Sequence, residues 1–234
     1  FGSAPFWRSV CATFEYAVII LPVTVLVSLW ISKVLSTRGK KINAFAKAVF
    51  YLPSVTNQVA LVIVWNFLFS PAFGLVASIF RILKLDPISW FDSPVTAIPL
   101  LALLICTYGL GQPVILYTAA INGIPDCYFE AARIDGATEN QIFFSITLRL
   151  LHGTTTYILI TSTIGMLQIF AVPYLMTNGG PSFRTSTLLM LVYTSAFQNG
   201  SFGYASAIGV VLFFITAAIA FIQFRMMRQD AIEY

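Results

Sequence analysis

The segment FGYASAIGVVLFFITAAIAFIQF, residues 202–224, carries no charged side chain and can cross a lipid bilayer as one helix. A helix rises about 1.5 Å per residue, so roughly 20 apolar residues span the hydrocarbon core. The rest of the chain has the same character, since 58% of its 234 residues are hydrophobic and only 9% are charged. Soluble domains are about one-quarter charged. The sequence therefore predicts an all-α, polytopic transmembrane helical bundle.

Long uncharged windows recur along the chain, and each of them can hold one crossing. They cover residues 16–32, 48–80, 93–125, 153–183 and 185–224, and the first crossing borrows a helical turn that includes Glu15. We expect crossing helices over about 9–35, 44–70, 94–122, 153–176 and 204–227. We also expect an amphipathic helix near residues 73–85 and a shorter outer or re-entrant helix over 188–205. The prediction is a bundle of about five crossings.

The distribution of basic residues sets the orientation, because short cytoplasmic loops collect Lys and Arg. The loop between the first two windows is predicted inside because it contains Lys33, Arg38, Lys40, Lys41 and Lys47. Residues 130–151 and the C-terminal tail then fall inside, whereas the loops over 71–94 and 178–184 fall outside. Residue 1 is expected outside, which suggests that another transmembrane helix precedes it.

Several function classes lack the residues that they need. Cys11, Cys106 and Cys127 are expected at different depths, so no pair is placed to form a disulfide, and no CxxC or His cluster indicates a metal. His152, the only histidine, is expected to be an interfacial polar residue. A Ser–His set, paired carboxylates or HExxH at membrane depth would indicate an intramembrane enzyme, and none is found. The net charge of +4 sets membrane orientation and includes no basic patch for nucleic acid.

A polar segment, EAARIDGATENQIFFSITLRLL at residues 130–151, separates the third and fourth windows. Pro125 followed by Asp126 predicts a helix start, because a carboxylate is favourable at the positive end of the helix dipole. Gly136 can adopt the left-handed conformation that ends this helix. Thr138 and Gln141 match a capping box that begins a second helix. A simple connection needs about two to eight residues, so this longer segment favours a docking element for a soluble partner.

EAARIDGA, followed by Phe143 and Ile146, resembles the EAA loop of ABC importer permeases, the cytoplasmic segment through which such subunits dock onto their ATPase. The resemblance extends over nearly the whole chain and includes FYLPSVTNQVALVIVWNFLFSPAFG and TSTIGMLQIFAVPYLMTNGGP. These segments are similar to the carbohydrate permeases of the maltose-type and glycerol-phosphate-type group. TNGGP resembles the first subunit type of that group, which is usually paired with a second, different permease.

The resemblance implies one transmembrane permease domain over residues 1–234, of the type I ABC importer kind, with the cytoplasmic EAA coupling loop at residues 125–151. It implies three kinds of partner: a second homologous permease, two cytoplasmic ABC ATPase subunits and an extracellular or periplasmic solute-binding protein. It also implies that the permease is located in a bacterial or archaeal cell membrane. The chain has no Walker A motif. It is therefore expected to be a non-catalytic subunit that binds no cofactor, with ATP and Mg²⁺ held by the partner ATPase, and to work by alternating access.

The family pattern places six residues in the predicted ATPase-docking surface: Glu130, Ala131, Ala132, Arg133, Asp135 and Gly136. The two alanines are expected to form a low-relief face with charged residues at its rim. Taken alone, Glu130 would be an ordinary solvated helix acid. The sequence departs from the family at Arg149 and Gly153, where prolines are usual. Their absence predicts that the second coupling helix runs on into the fourth crossing with less of a kink.

The candidate solute-path residues are polar or aromatic side chains at membrane depth, where polar groups are costly. They are Asn57, Gln58, Trp65, Asn66, Tyr108, Gln112, Tyr117, Gln168 and Tyr174, with Gln112 beside Pro113 at an expected bend. Hydrogen bonding between helices or interfacial anchoring explains any one of them equally well. An ABC permease for amino acids, phosphate or metals remains the nearest alternative. An ion-coupled carrier or channel would need charged or inverted-repeat pore elements and would leave the coupling loop unexplained.

Overall fold

The computed structural model describes residues 4–84, 90–181 and 183–228, and every regular element in these ranges is helical. The first half contains α1 (Ala4–Ser36), α2 (Lys40–Val55), α3 (Gln58–Leu68), α4 (Leu75–Ile82), α5 (Pro94–Gly109) and α6 (Gly111–Asn122). The second half contains α7 (Asp126–Ile134), α8 (Glu139–Ile142), α9 (Leu148–Leu150), α10 (His152–Leu167), α11 (Ala171–Thr177), α12 (Leu188–Tyr193) and α13 (Phe202–Arg228). Single π-helical turns cover Phe143–Thr147 and Thr194–Gln198. The predicted all-α bundle is confirmed.

The spans agree with the predicted number of crossings. Three helical segments are long and apolar enough to cross a membrane: Ala4–Ser36, His152–Thr177 and Phe202–Met227. Two bent helix pairs raise the total to as many as five spans in the described residues. The predicted amphipathic helix is α4, and the predicted short outer helix is α12 with its π turn, which ends before Gly200 at φ +66°.

Helix α1 is the element against which much of the bundle packs. Tyr16 and Ile20 are fully buried in one apolar cluster with Leu101 and Ile105 of α5. Farther along α1, the Ser32 hydroxyl donates a 3.0 Å hydrogen bond to the backbone oxygen of Val114 in α6. Small side chains of this kind let two helix backbones approach closely in a membrane, where apolar burial alone does not favour helix association. Helices α5 and α6 are thus held on α1.

Two of the predicted crossings are broken: the bend near Pro113 within 94–122 was expected, whereas the break within 44–70 corrects the expectation of a single helix there. The chain bends by 96° between α2 and α3 and by 48° between α5 and α6. Pro53 and Pro113 lack the N–H that would bond to the carbonyl four residues earlier, so each weakens the helix near its bend. At the first bend, Asn57 starts a new helix by accepting a 2.8 Å hydrogen bond from the Val59 N–H.

The two bends lie against each other. A Cβ atom added to Gly111 would lie 2.7 Å from the backbone oxygen of Phe50 in α2, so this position accepts only glycine without displacement. Gln58, at the start of α3, donates a hydrogen bond from Nε2 to the hydroxyl oxygen of Tyr108 near the end of α5. Gly111 therefore packs closely against the backbone of α2. A Cβ atom added to Gly109 would have nothing within 4 Å, so packing does not explain that glycine.

The loops that were predicted to share a side of the membrane are near one another. At the C-terminal end of α1, Lys33 Nζ donates a 3.0 Å hydrogen bond to Asn140 Oδ1 in the polar segment. Toward the other end of α1, the Thr13 hydroxyl accepts a 2.9 Å hydrogen bond from the Leu188 N–H, just after the loop predicted outside. Both contacts agree with the predicted alternation of loops along the chain.

Gly111 offers a direct test of the packed bends. We expect Gly111→Ala to lower the free energy of unfolding by about 1–3 kcal/mol, because the new methyl group overlaps the Phe50 carbonyl oxygen. Gly109→Ala is the matched control and is expected to be neutral or slightly stabilising. Unfolding by sodium dodecyl sulfate titration in detergent measures both variants. Equal stabilities for the two alanine variants would contradict the packing at Gly111.

Candidate docking loop and solute path

The polar segment forms the predicted helix, glycine joint and helix. Helix α7 begins at Asp126 directly after Pro125, and Gly136 ends the turn in the left-handed conformation with φ +78°. The Thr138 hydroxyl accepts from the Gln141 N–H, and Gln141 Oε1 accepts from the Thr138 N–H, which completes the predicted capping box. These local signals set the helix–glycine–helix order of residues 125–151, which are called the docking loop below after their predicted role.

The predicted docking residues do not all face the same way. Glu130, Ala131, Asp135 and Gly136 are exposed, whereas Ala132 is only 8% exposed. The two alanines therefore do not form one open face, since adjacent residues of a helix are about 100° apart around its axis. Ala132 lets α7 approach the rest of the chain, and Ala131 remains on the free side.

Arg133 is engaged within the docking loop. Its Nε lies 3.0 Å from Glu139 Oε1, and both side chains are more than half exposed. An exposed ion pair of this kind contributes about 0–1 kcal/mol to stability. The pair connects α7 to the first turn of α8 across Gly136. Its main effect is on the relative position of the two helices, because its contribution to the free energy of unfolding is small.

An apolar residue that sequence reasoning missed stands out on this surface. Ile134, the last residue of α7, is 86% exposed, and Tyr128 on the same helix is 44% exposed. Single exposed apolar side chains are common on protein surfaces, so Ile134 and Tyr128 bear on docking only together with the predicted role of this segment. Ile134 is the large apolar residue of EAARIDGA, and it lies on a different helical face from Ala132. This position was the signal available in the sequence.

The helix that begins at the capping box runs almost directly into α10. Residues 139–150 are helical with one π turn over Phe143–Thr147, and α10 follows at His152. Leu151 interrupts the run, yet its N–H bonds to the Thr147 oxygen and its own oxygen accepts from the Thr155 N–H. The docking loop is thus joined to α10 by nearly continuous helical hydrogen bonding.

The bends bring together some of the predicted solute-path residues. Gln58 and Tyr108 are hydrogen-bonded partners, and Gln112 is exposed in the first turn of α6, just past the second bend. Asn57 is exposed but its side chain caps α3. The arrangement puts amide, hydroxyl and aromatic groups beside two helix ends, which is typical of membrane transport sites.

A second group lies on α11 and the outer helix. The Tyr174 hydroxyl accepts a 3.0 Å hydrogen bond from Gln198 Nε2, and the Tyr174 ring stacks on Phe170 at a centroid distance of 5.1 Å. Tyr193 contacts both rings. Sequence reasoning missed Phe170, Tyr193 and Gln198. The sequence did contain a signal: Phe170 and Tyr174 are four residues apart, and so are Tyr193 and Phe197. Four residues is about one helical turn, so the two rings of each pair are expected to be neighbours.

Three further candidates, Asn66, Trp65 and Gln168, make other contacts. Asn66 is exposed and its Nδ2 donates a 3.4 Å hydrogen bond to the Leu175 oxygen, which connects α3 to α11. Trp65 contacts Phe69, with ring centroids 5.8 Å apart. Gln168 is exposed at the C-terminal end of α10. These three are placed at helix contacts or ends, as the alternative interpretation of helix-to-helix bonding allowed.

Tyr117, another predicted solute-path residue, is enclosed between helices in this structure. Its side chain is fully buried between α6 and α10, in a cluster with Ile121 and Ile158. The hydroxyl donates a 3.2 Å hydrogen bond to Thr155 Oγ1. A buried tyrosine needs such a partner for its O–H, and satisfying it here explains the residue without a solute.

Comparison with known proteins decides the family. The family model for the inner membrane component of binding-protein-dependent transport systems matches residues 24–229. The chain belongs to this family. The permease therefore crosses the membrane as the transport component of such a system, as the EAA-like segment predicted.

The permease is similar to several curated transport proteins. It is 30% identical to the probable ABC transporter permease protein YurN of Bacillus subtilis, over 97% of this chain and 79% of that protein. It is also 30% identical to the lactose transport system permease protein LacF of Rhizobium radiobacter, over 96% of this chain and 76% of that protein. The predicted resemblance to carbohydrate permeases is confirmed by these relatives.

Solved structures share the fold. A chain in the crystal structure of a bacterial ABC transporter involved in the import of the acidic polysaccharide alginate superimposes with a TM-score of 0.87 at 24% identity. The match covers 99% of the permease and 82% of that chain. A chain of the bacterial alginate transporter in complex with an alginate pentasaccharide-bound periplasmic protein gives a TM-score of 0.86 at 23% identity, over 98% of the permease and 80% of that chain.

Tyr117→Phe distinguishes a structural role of the Tyr117 hydroxyl from a role in solute transport. Removing the hydroxyl breaks the hydrogen bond to Thr155, so we expect the free energy of unfolding to fall by about 0.5–1.5 kcal/mol. The KM for solute uptake should stay unchanged because Tyr117 is buried away from any opening. Thr155→Val is the matched control from the other side of the bond and should have a similar effect. A several-fold rise in KM for Tyr117→Phe alone would return Tyr117 to the solute path.

Proposed function

We propose that the permease is one of two different membrane subunits of an ATP-driven importer for a carbohydrate. The observation that carries the proposal is the docking loop, with its capped helix pair and the exposed apolar side chain of Ile134. A loop that only connected two spans would need about two to eight residues, whereas this segment forms a capped helix pair, and a docked ATPase would cover Ile134. Relatives that transport lactose and arabinooligosaccharides support the class of solute.

The partners follow from the same proposal. A cytoplasmic ABC ATPase docks on Glu130, Ala131, Asp135, Gly136 and Ile134, and Ala132 and Arg133 hold this surface in shape from within the loop. The ATPase binds ATP and Mg²⁺, and the permease binds no cofactor. The complex contains two ATPase subunits, a second homologous permease and an extracellular or periplasmic solute-binding protein, in a bacterial or archaeal cell membrane.

The orientation follows from the loops. The docking loop and the neighbouring end of α1 lie in the cytoplasm, together with the C-terminal end of α13. The loops predicted outside face the binding protein. The basic residues collected between α1 and α2 and at the C-terminal end support this assignment.

The solute path is proposed at the two bends. Gln58, Tyr108 and Gln112 can hydrogen-bond sugar hydroxyls, and the Tyr108 ring adds a flat apolar face beside them. Alternating access would open and close this region as the bent helices move. Asn57, Trp65, Asn66, Gln168 and Tyr174 stay as secondary candidates along the path.

A second class of solute is favoured by one relative. The osmoprotective compounds uptake permease protein GgtC of Synechocystis is 30% identical over 80% of this chain and 68% of that protein. A small polar osmolyte could use the same amides at the bends. The two classes are separated by the solutes that stimulate ATP hydrolysis in the assembled complex.

Affinity purification of the full-length tagged permease from its native membrane tests the proposal. Mass identification should find an ABC ATPase, a second permease and a solute-binding protein. The binding protein then identifies the solute by its own ligand. Recovery of the permease alone, or as a homo-oligomer without an ATPase, would contradict the docking assignment.

Gly136→Val tests the shape of the docking loop. A β-branched residue is strained at φ +78°, by about 1–3 kcal/mol. We expect it to distort the joint between α7 and α8 and to reduce solute-stimulated ATPase activity in the complex, with membrane insertion intact. Gly136→Asn is the matched control, because asparagine tolerates the left-handed region. Full stimulation of Gly136→Val would contradict the docking role of the joint.

Gln112→Ala tests the solute path. The side chain is exposed beside the second bend, so its removal should leave the fold intact. We expect a several-fold rise in the KM for uptake, because a hydrogen-bonding site that loses one polar partner binds its solute more weakly. Uptake into cells or proteoliposomes measures the change, with the amount of assembled complex as the control. Unchanged uptake kinetics would remove Gln112 from the path.

A further inference from the structure

Lys33 connects the last turn of α1 to the second coupling helix. Its Nζ donates a 3.0 Å hydrogen bond to Asn140 Oδ1 and lies 4.4 Å from the centroid of the Phe143 ring. It is also 5.4 Å from the centroid of Phe144. The ammonium group therefore contacts one amide oxygen and two aromatic rings at the same time. An aliphatic side chain of the same length could pack there but could make neither the hydrogen bond nor the cation–π contacts.

The Lys33 contact spans an open cleft. The cleft has a volume of about 580 Å³ and separates the end of α1 and α6 from the docking loop. Ser36 and Thr37 line one side, and Arg133 and Glu139 line the other. The two sides of the cleft are not packed together here, so few contacts join the docking loop to the bundle across it. Each contact that crosses the cleft therefore contributes more to positioning the loop than it would in a close-packed region.

The neighbouring residue of α1 continues the connection into the bundle. Ser32 is fully buried and donates to the Val114 oxygen in α6, and the Thr118 hydroxyl donates to Ser32 Oγ at 3.2 Å. Helix α6 begins at Gly111, in the bend that packs against α2. A displacement of Asn140 and Phe143 would therefore reach the bends through Lys33, α1 and α6.

We propose that Lys33 is a positioning residue that transmits movement of the docking loop to α1 and from there to the two bends. The inference rests on the proposed function, because the docked ATPase supplies the movement. The chain also joins the docking loop covalently to α6 through residues 123–125 and to α10 through Leu151, which gives two further routes. Loss of the Lys33 contacts should therefore weaken the coupling of ATP hydrolysis to transport without abolishing it.

Lys33→Met in the complete transporter tests the proposal. Methionine keeps an unbranched, flexible apolar side chain and removes the charge, so the fold should persist. The quantity to measure is the number of solute molecules transported per ATP hydrolysed in proteoliposomes. We expect it to fall several-fold, because the variant loses the hydrogen bond to Asn140 and the cation–π contacts to Phe143 and Phe144. Lys33→Arg should stay near the parent value because arginine makes the same classes of contact.

Two further variants show whether Lys33 acts through the contacts described. Lys41→Met removes a charge from the exposed first turn of α2 and should leave the transport ratio unchanged. Combining Lys33→Met with Asn140→Ala should lower the ratio no further than Lys33→Met alone, since partners in one interaction are not additive. Independent, additive effects of the two substitutions would overturn the proposed link.

The remaining outcomes also decide the proposal. A parental transport ratio for Lys33→Met would overturn the positioning role, while the proposed function would stand if the ATPase still copurified. Less assembled complex with an unchanged ratio would show that Lys33 only stabilises the fold, and would overturn the role as well. Failure of the parent chain itself to bind any ATPase would overturn both the proposed function and this inference.

Discussion

In the interior of a bilayer no water is available to hydrogen-bond backbone N–H and C=O groups, so a chain can break its helices only where the protein itself supplies partners. This constraint explains how the two bends are built. At the first, Asn57 restarts a helix with its own side chain. At the second, Gly111 lies directly on the backbone of α2. Amide and hydroxyl groups at membrane depth occur where these two breaks meet.

The docking loop is organised by local interactions instead. Its glycine joint, capping box and Arg133–Glu139 pair are all made within a few residues, so its shape does not require the rest of the bundle. The bundle holds the docking loop in place relative to the membrane helices. Helix α1 contacts the loop at Lys33 and contacts α6 at Ser32, and it thereby joins the water-facing part of the chain to the bent helices.

The features that sequence reasoning predicted correctly are those set by neighbours along the chain. The uncharged windows, the left-handed Gly136 and the Thr138–Gln141 box depend on local composition and spacing. The features that it missed depend on how helices are rotated against each other. A turn of about 100° per residue decides that Ala132 is buried and Ala131 exposed, and only packing fixes that rotation. The burial of Tyr117 could not be predicted for the same reason, because the sequence does not reveal that Thr155 lies opposite it.

The most direct test of the account is site-specific photocrosslinking from the docking loop in native membranes. A benzophenone side chain placed at Ile134, which is 86% exposed at the end of α7, should form an adduct with an ABC ATPase subunit. The same probe at Phe213, an exposed apolar position on α13, should form none with that subunit. An ATPase adduct at Ile134 alone is the predicted result. Absence of any ATPase adduct at Ile134, or equal adducts at both positions, would contradict the assignment of residues 125–151 as the ATPase-docking loop.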